Sequence, residues 1–358
     1  MALRVLAVAQ AAEPGGAEHA LLRLGPPLAA DGVELEVAVP GEGGVAQAAR
    51  EQGLRVHELP IGSLRRGALA RAAIGWPRVR RLVRAVSFDV AWLNGVVPQR
   101  VVPALGATPA MLHLHDLLDH RPLQWRLRGF WRRVPFVACA SDAVAQAAAA
   151  AGAPQDRLRT LPVPVEAVAA APRPSWADGR PVVGFVGRIE PRKGVLDLLT
   201  ATHSLVRRVP EVRVVVVSGP ELEPDRGYEQ RVREEAAALG DSVVVTGPVD
   251  DARRLMPWFD VLCVPSLVEP FGTVAAEALA AGTPAVVTDS GGMPEYVTPG
   301  RSGAVVEPGQ PEALAGALEE VLGRASTMSD AAREDAARFA TARAAAQTAA
   351  LLRKTAAR

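Results

Sequence analysis

Two short stretches in the second half of the chain carry residue types and spacings suited to a phosphorylated ligand. The first is "GRIEPRKG", residues 187–194, which follows the apolar run 182–187. Arg188 and Lys193 flank a proline turn there, and Gly194 leads into a run of helical period. Two cations at a strand end can converge on one diphosphate; a solvated basic loop would have the same composition. The lysine stands out against its background. Lys193 and Lys354 are the only lysines, every other Lys/Arg base is arginine, and Lys354 sits in a tail.

The second stretch is "EPFGTVAAEALAAGTPAVVTDSGGMPEYV", residues 269–297. Pro270 and Gly272 put Glu269 in a loop, with a helix beginning near Phe271–Thr273. Glu277 then falls in the second turn. Eight helical steps would separate the two acids by about 12 Å at ~1.5 Å per residue. They cannot form one acid/base pair and would instead touch different parts of an extended ligand. The helix start offers N–H groups to an anion or hydroxyl, and Gly291–Gly292 permit close backbone approach. Asp289 and Glu295 have nothing beyond position to mark them.

The first half offers weaker signals. Gly15 and Gly16 follow a first strand and open a helix at about residue 17. Such a turn suits an anion, but equally a plain strand-to-helix connection, and it is no dinucleotide fingerprint. "AMLHLHDLLDH", residues 110–120, groups His113, His115 and His120 with Asp116 and Asp119 in a superficially metal-like spacing. A strand-end histidine near a reacting centre is the better reading of His115. No Asp-X-Asp metal motif occurs. Residues 121–136 interleave Arg121, Arg126, Arg128, Arg132 and Arg133 with Trp125, Phe130 and Trp131. This is either an ordinary helix with aromatic core contacts or a surface for membrane or acidic ligands.

The elements that must position these residues alternate. Strand-like runs at 3–9, 34–39, 54–59, 88–93, 110–114 and 135–140 are separated mostly by helical segments, the pattern of a parallel sheet covered on both faces. Prolines at 162, 164, 172, 174 and 181 break it, and proline continues neither helix nor central strand. It restarts at 182–187, 212–218, 242–246, 260–264 and 284–288, with helices expected over 310–325 and 329–353. The expected organisation is a domain over 1–165, a linker over 166–181, a second α/β domain over 182–340, and a terminal helix, 341–358, packing back on the first. Ligands of two such domains are expected in the cleft they face, outside the carboxyl ends of the strands.

Composition narrows the classes. At 358 residues and 49% hydrophobic, the chain can bury two cores. A net charge of +1 gives no global signal for nucleic acid. Cys139 and Cys263 are far apart in apolar runs and read as buried thiols, which suits a reducing cytoplasm. No run approaches the ~18–20 apolar residues of a spanning helix, and "MALRVLAVAQ" reads as a strand, not a signal peptide.

Taken together, "GRIEPRKG" and the 269–297 stretch resemble the retaining glycosyltransferases of family 4. "GGAE" at 15–18 and "HLHD" at 113–116 match more weakly. The resemblance covers nearly the whole chain. It implies a GT-B fold of two Rossmann-like domains and a nucleotide diphosphate sugar, most commonly a UDP-sugar, as co-substrate with no metal required. It also implies residue roles. Arg188 and Lys193 would bind the diphosphate and Glu277 the ribose. Glu269, with the backbone of Phe271 and Gly272 at the helix start by Thr273, would meet the sugar hydroxyls. Gly15 and Gly16 would close on the phosphates, and His115 would lie near the anomeric carbon. Transfer by front-face attack is likewise implied. The acceptor stays open between a small molecule, as in natural-product biosynthesis, and a membrane lipid approached through 121–136. An epimerase, a hydrolase or a non-catalytic binding subunit are the competing activities.

Overall fold

A computed structural model describes residues 2–61, 68–118, 122–126, 129–218 and 225–358. The chain divides into two units, Met1–Pro164 with Ala340–Arg358, and Val165–Phe339. In the first, β1 (Leu3–Val8), α1 (Gly16–Ala30), β2 (Val33–Val39), α2 (Gly44–Glu51), β3 (Arg55–Glu58), α3 (Ala68–Val86), β4 (Val90–Asn94) and β5 (Ala110–Leu114) alternate as expected. They continue through α4 (Phe130–Arg133), β6 (Phe136–Cys139), α5 (Asp142–Ala150) and β7 (Leu158–Thr160). The sheet order is β3-β2-β1-β4-β5-β6-β7, and every pairing is parallel.

The second unit carries β8 (Val182–Gly187), α6 (Val195–Arg208), β9 (Arg213–Ser218), α7 (Arg226–Ala238), β10 (Val243–Val245) and β11 (Val261–Val264). It ends with α8 (Thr273–Ala281), β12 (Ala285–Thr288), β13 (Gly303–Val306), α9 (Pro311–Leu322) and α10 (Ala325–Ala336). Its sheet runs β10-β9-β8-β11-β12-β13, again all parallel. The last helix, α11 (Thr341–Ala356), belongs to the first unit.

Each sheet is covered on both faces, which is why its central strands read as near-continuous apolar runs. Val5, Ala7, Trp92 and Met111 point to a core closed by Leu21 and Leu28 of α1 and Leu351 and Leu352 of α11. Leu6, Val8, Leu93 and Leu112 point the other way, against Val79 of α3 and Val144 of α5. In the second unit Val183, Val214, Val261 and Val286 pack with Leu198 of α6, Val232 of α7 and Leu314 of α9. Cys139 and Cys263 are fully buried in these cores.

Several local expectations change. The segment read as one helix over 329–353 is two, because Ala337–Phe339 tightens into a 3-10 turn and Ala340 is extended. The break lets Phe339 bury its ring edge-on against Phe271 and Tyr296, each 5.1 Å away between centroids. β7 and β13 went unread: β7 is three residues long and half exposed, and β13 opens on glycine. The proline-rich segment is ordered against the second unit. There Trp176 stacks on Phe259 at 5.5 Å, and the Trp258 indole donates to the Ala171 carbonyl at 2.9 Å.

The aromatic residues of the 121–136 segment pack into the core of the first unit. Trp125 and Phe130 are buried, and Trp131 packs on both rings at 5.2 and 5.0 Å. Arg126 and Arg132 are exposed. Asp119, His120, Arg121 and Arg128 lie outside the described residues. Among those described, no helix is long and apolar enough to cross a membrane.

Candidate active site

In the second unit three loops meet at the carboxyl edge of the sheet, after β8, β11 and β12. The first carries the basic residues. Glu190 Oε1 forms ion pairs with Arg188 at 3.3 Å and Arg192 at 2.7 Å. Gly194 then turns into α6 with φ +67°, and a Cβ there would lie 2.0 Å from the Pro265 carbonyl oxygen. Glycine is thus required both by conformation and by contact. The Leu267 amide donates to the Arg192 carbonyl at 2.8 Å, fastening the β8 loop to the β11 loop.

That fastening brings Lys193 onto Glu269, 76 positions away in sequence, with Nζ 2.5 Å from Oε2. The pair is largely out of water, with side-chain exposures of 16% and 10%. The Glu269 carboxylate also accepts from Ser266 Oγ at 3.2 Å, and its amide donates to Ser290 Oγ at 3.2 Å. Gly291 has φ +60° and sits where a Cβ would be 1.8 Å from the Glu269 carbonyl oxygen. This is the close backbone approach that the double glycine suggested.

Gly272 caps α8 with φ +83°, and the Tyr296 hydroxyl lies 2.8 and 2.7 Å from the Phe271 and Gly272 carbonyls. Thr273 is the first residue of α8, so its start is aimed from the same edge that holds Glu269. Glu277 is buried in the second turn, as its spacing predicts. Asp251, bonded to Arg253 at 2.8 Å, and to a lesser degree Glu277 hold the Arg253 guanidinium above its ordinary range against the effect of burial. Sequence reasoning did not single out Arg253, Ser266, Ser290 or Tyr296; serines and a tyrosine near glycine turns carry little signal by themselves.

The other unit holds Gly15, Gly16 and His115. Gly15 caps α1, but its amide is already donated to Glu18 Oε2 at 3.3 Å, while Oε1 accepts from Gln10 and Ala11 amides at 3.2 and 3.3 Å. Burial raises the Glu18 pKa and these backbone bonds oppose the shift. Glu18 was missed, although a glutamate three residues after an N-cap is the capping-box position. Around Gly16 a Cβ would meet nothing within 4 Å. His115 follows β5 immediately, with Nε2 2.9 Å from Asn94 Oδ1. Asn94 Nδ2 in turn donates to the Ala17 carbonyl at 3.0 Å, so His115 and the glycine turn share one network. His113 is buried beneath, its ring 4.1 Å from that of His115. Among the described residues no group of three or more His, Cys, Asp or Glu could hold a metal ion.

Known proteins resemble the chain in family and fold. Residues 180–324 match the family model "Glycosyl transferases group 1", and residues 14–167 match "Glycosyltransferase Family 4". A D-inositol 3-phosphate glycosyltransferase of Corynebacterium urealyticum is 35% identical over 166 residues, 44% of this chain and 39% of that protein. A phosphatidyl-myo-inositol mannosyltransferase of Mycolicibacterium smegmatis is 38% identical over 149 residues, 40% of this chain and 36% of that one. The chain therefore matches only about two fifths of the length of these relatives. Among solved structures, HepE of Anabaena in complex with UDP superposes with a TM-score of 0.81 at 23% identity, covering 98% of this chain and 100% of that one. Sucrose-phosphate synthase of Thermosynechococcus elongatus gives 0.80 at 21%, covering 98% of each. Two parallel-sheet α/β units with these neighbours make the fold GT-B, and the two family matches, one in each unit, show that the chain belongs to the family 4 glycosyltransferases.

Proposed function

We propose that this chain moves a hexose-type sugar, with retention, from a UDP-sugar to a hydroxyl of a small polar acceptor. The observation that carries the reading is the largely buried Lys193–Glu269 pair just ahead of α8. A lysine has three donors and Glu269 uses one, so the ammonium can also meet a diphosphate while the carboxylate turns to sugar hydroxyls. Arg188 supplies the second cation, and Glu277, one turn into the helix, supplies a carboxylate for ribose hydroxyls. His115 faces the acceptor side in this reading.

Chemically, the bond from the anomeric carbon to the phosphate oxygen breaks with its electron pair leaving on UDP. The acceptor oxygen bonds to the same face of the carbon, and its proton passes to the departing phosphate. Cations and helix-start amides aimed at the leaving diphosphate supply the stabilisation, and we assign no metal to this step. HepE was solved with UDP and with UDP-glucose, and the curated relatives are named for inositol-based acceptors; both support the donor and acceptor classes proposed.

The test is a matrix of UDP-sugars and polyol, polyol-phosphate and phosphoinositide acceptors, scored for released UDP and for the anomeric configuration of the product. Acceptor-dependent UDP release with retained configuration is expected. UDP or free sugar released equally without acceptor would make the chain a hydrolase, and sugar epimerised on UDP an epimerase. Gly16→Ala refines the assignment. Since nothing in the protein crowds that position, the variant should keep or slightly raise its Tm, alanine being better than glycine in a helix by up to ~1 kcal/mol. Donor KM should nevertheless rise about tenfold, the equivalent of ~1.4 kcal/mol. An unchanged KM would remove the glycine turn from the donor site.

A further inference from the structure

We propose that Asn94 is a positioning residue that locks His115 in one neutral tautomer, protonated on Nε2, so that Nδ1 carries a bare lone pair. The substrate group that His115 meets must then be a hydrogen-bond donor, such as a sugar or acceptor hydroxyl.

The Ala17 carbonyl can only accept, and Asn94 lies 3.0 Å from it. Asn94 is fully buried at the end of β4. Turned the other way, its Oδ1 would face the carbonyl oxygen with no water to relieve either, a costly arrangement. The amide nitrogen therefore faces Ala17, and Oδ1 faces His115 Nε2 at 2.9 Å. Because Oδ1 only accepts, Nε2 must carry the hydrogen. Burial pushes the His115 pKa down to about 4, so at neutral pH the ring has one proton and Nδ1 has none. The titratable neighbour packed against it, His113, is driven below its ordinary range by its own burial and by His115, and it brings no charge at pH 7. The same bond ties the imidazole to the first turn of α1, the helix that Gly15 and Gly16 open and Glu18 caps. Histidine tautomers are set in this way by the partner of the other ring nitrogen.

The kinetic part of this inference rests on the proposed placement of His115 at the substrate; the tautomer does not. The full chain labelled with 15N-histidine, with His115 assigned by its loss in His115→Gln, reports the tautomer directly without substrate. A neutral ring with hydrogen on Nε2 at pH 7 is expected, and hydrogen on Nδ1 or a rapidly exchanging mixture would overturn the proposal. Asn94→Ala should release the ring into a mixture of tautomers and lower kcat by about 10- to 100-fold, the worth of one oriented hydrogen bond, with donor KM little changed. If that variant does not fold, the wild-type spectrum still decides. Combined with His115→Ala it should cost nothing further, as expected of residues acting through one another; losses that multiply would contradict the coupling. A locked ring in a chain whose His115→Ala variant transfers at full rate would keep the tautomer assignment and remove His115 from the substrate.

Discussion

Replacing Lys193 by alanine is expected to abolish measurable transfer and to lower stability together. Glu269 would be left with a buried, uncompensated carboxylate, a change that typically costs ~3–5 kcal/mol and in a unit of this size lowers Tm by about 10 °C. UDP affinity should fall as well, because the same ammonium is assigned to the diphosphate. The two effects separate in a second variant. Lys193→Met combined with Glu269→Gln removes both charges and keeps the side-chain volumes, so it should recover most of the lost stability. It should remain inactive. Thermal unfolding and UDP-release assays on the wild type and both variants provide the check. A stable double variant that transfers sugar at the wild-type rate would show that the pair is structural only.

Gly291→Ala should be the other severe change. Its φ of +60° is unfavourable for any residue with a Cβ, by ~1–2 kcal/mol. The added carbon would also stand 1.8 Å from the Glu269 carbonyl oxygen, so the loop bearing Glu269 must move. Gly309→Ala isolates the first effect, since Gly309 has φ +69° but open space around its Cβ position. The expectation is a loss of ~1–2 kcal/mol for Gly309→Ala, and for Gly291→Ala ~2–3 kcal/mol beyond that, from overpacking at a closely packed site. Only Gly291→Ala should raise donor KM. Equal stability and equal KM in the two variants would mean that the double glycine does not hold Glu269 in place.

Much of the fold was readable because the central parallel strands, buried on both faces, announce themselves as apolar runs between turn residues. β7 escaped because it lies half exposed at the sheet edge, where nothing demands an apolar run. Proline could say that 166–181 is neither helix nor strand, but not that Trp176 would stack on Phe259. For the candidate site, residue type and local spacing singled out Arg188, Lys193, Glu269 and Glu277. The Lys193–Glu269 pair was out of reach, because it closes across 76 positions and depends on β8 and β11 being neighbours. Asn94 left a faint trace, a polar residue ending the apolar strand VAWLN. Its meaning needed the start of α1, 77 positions earlier, to be placed beside it. At the glycine turn the sequence showed a helix start suited to an anion, but not that the Gly15 amide donates to Glu18 Oε2.

The most direct test of the donor site is calorimetric titration of UDP into the full chain in EDTA. Binding at one site is predicted for the wild type, strongly weakened in the folded Lys193→Met, Glu269→Gln double variant. Absence of UDP binding by the wild type, or equal binding by the double variant, would contradict the account.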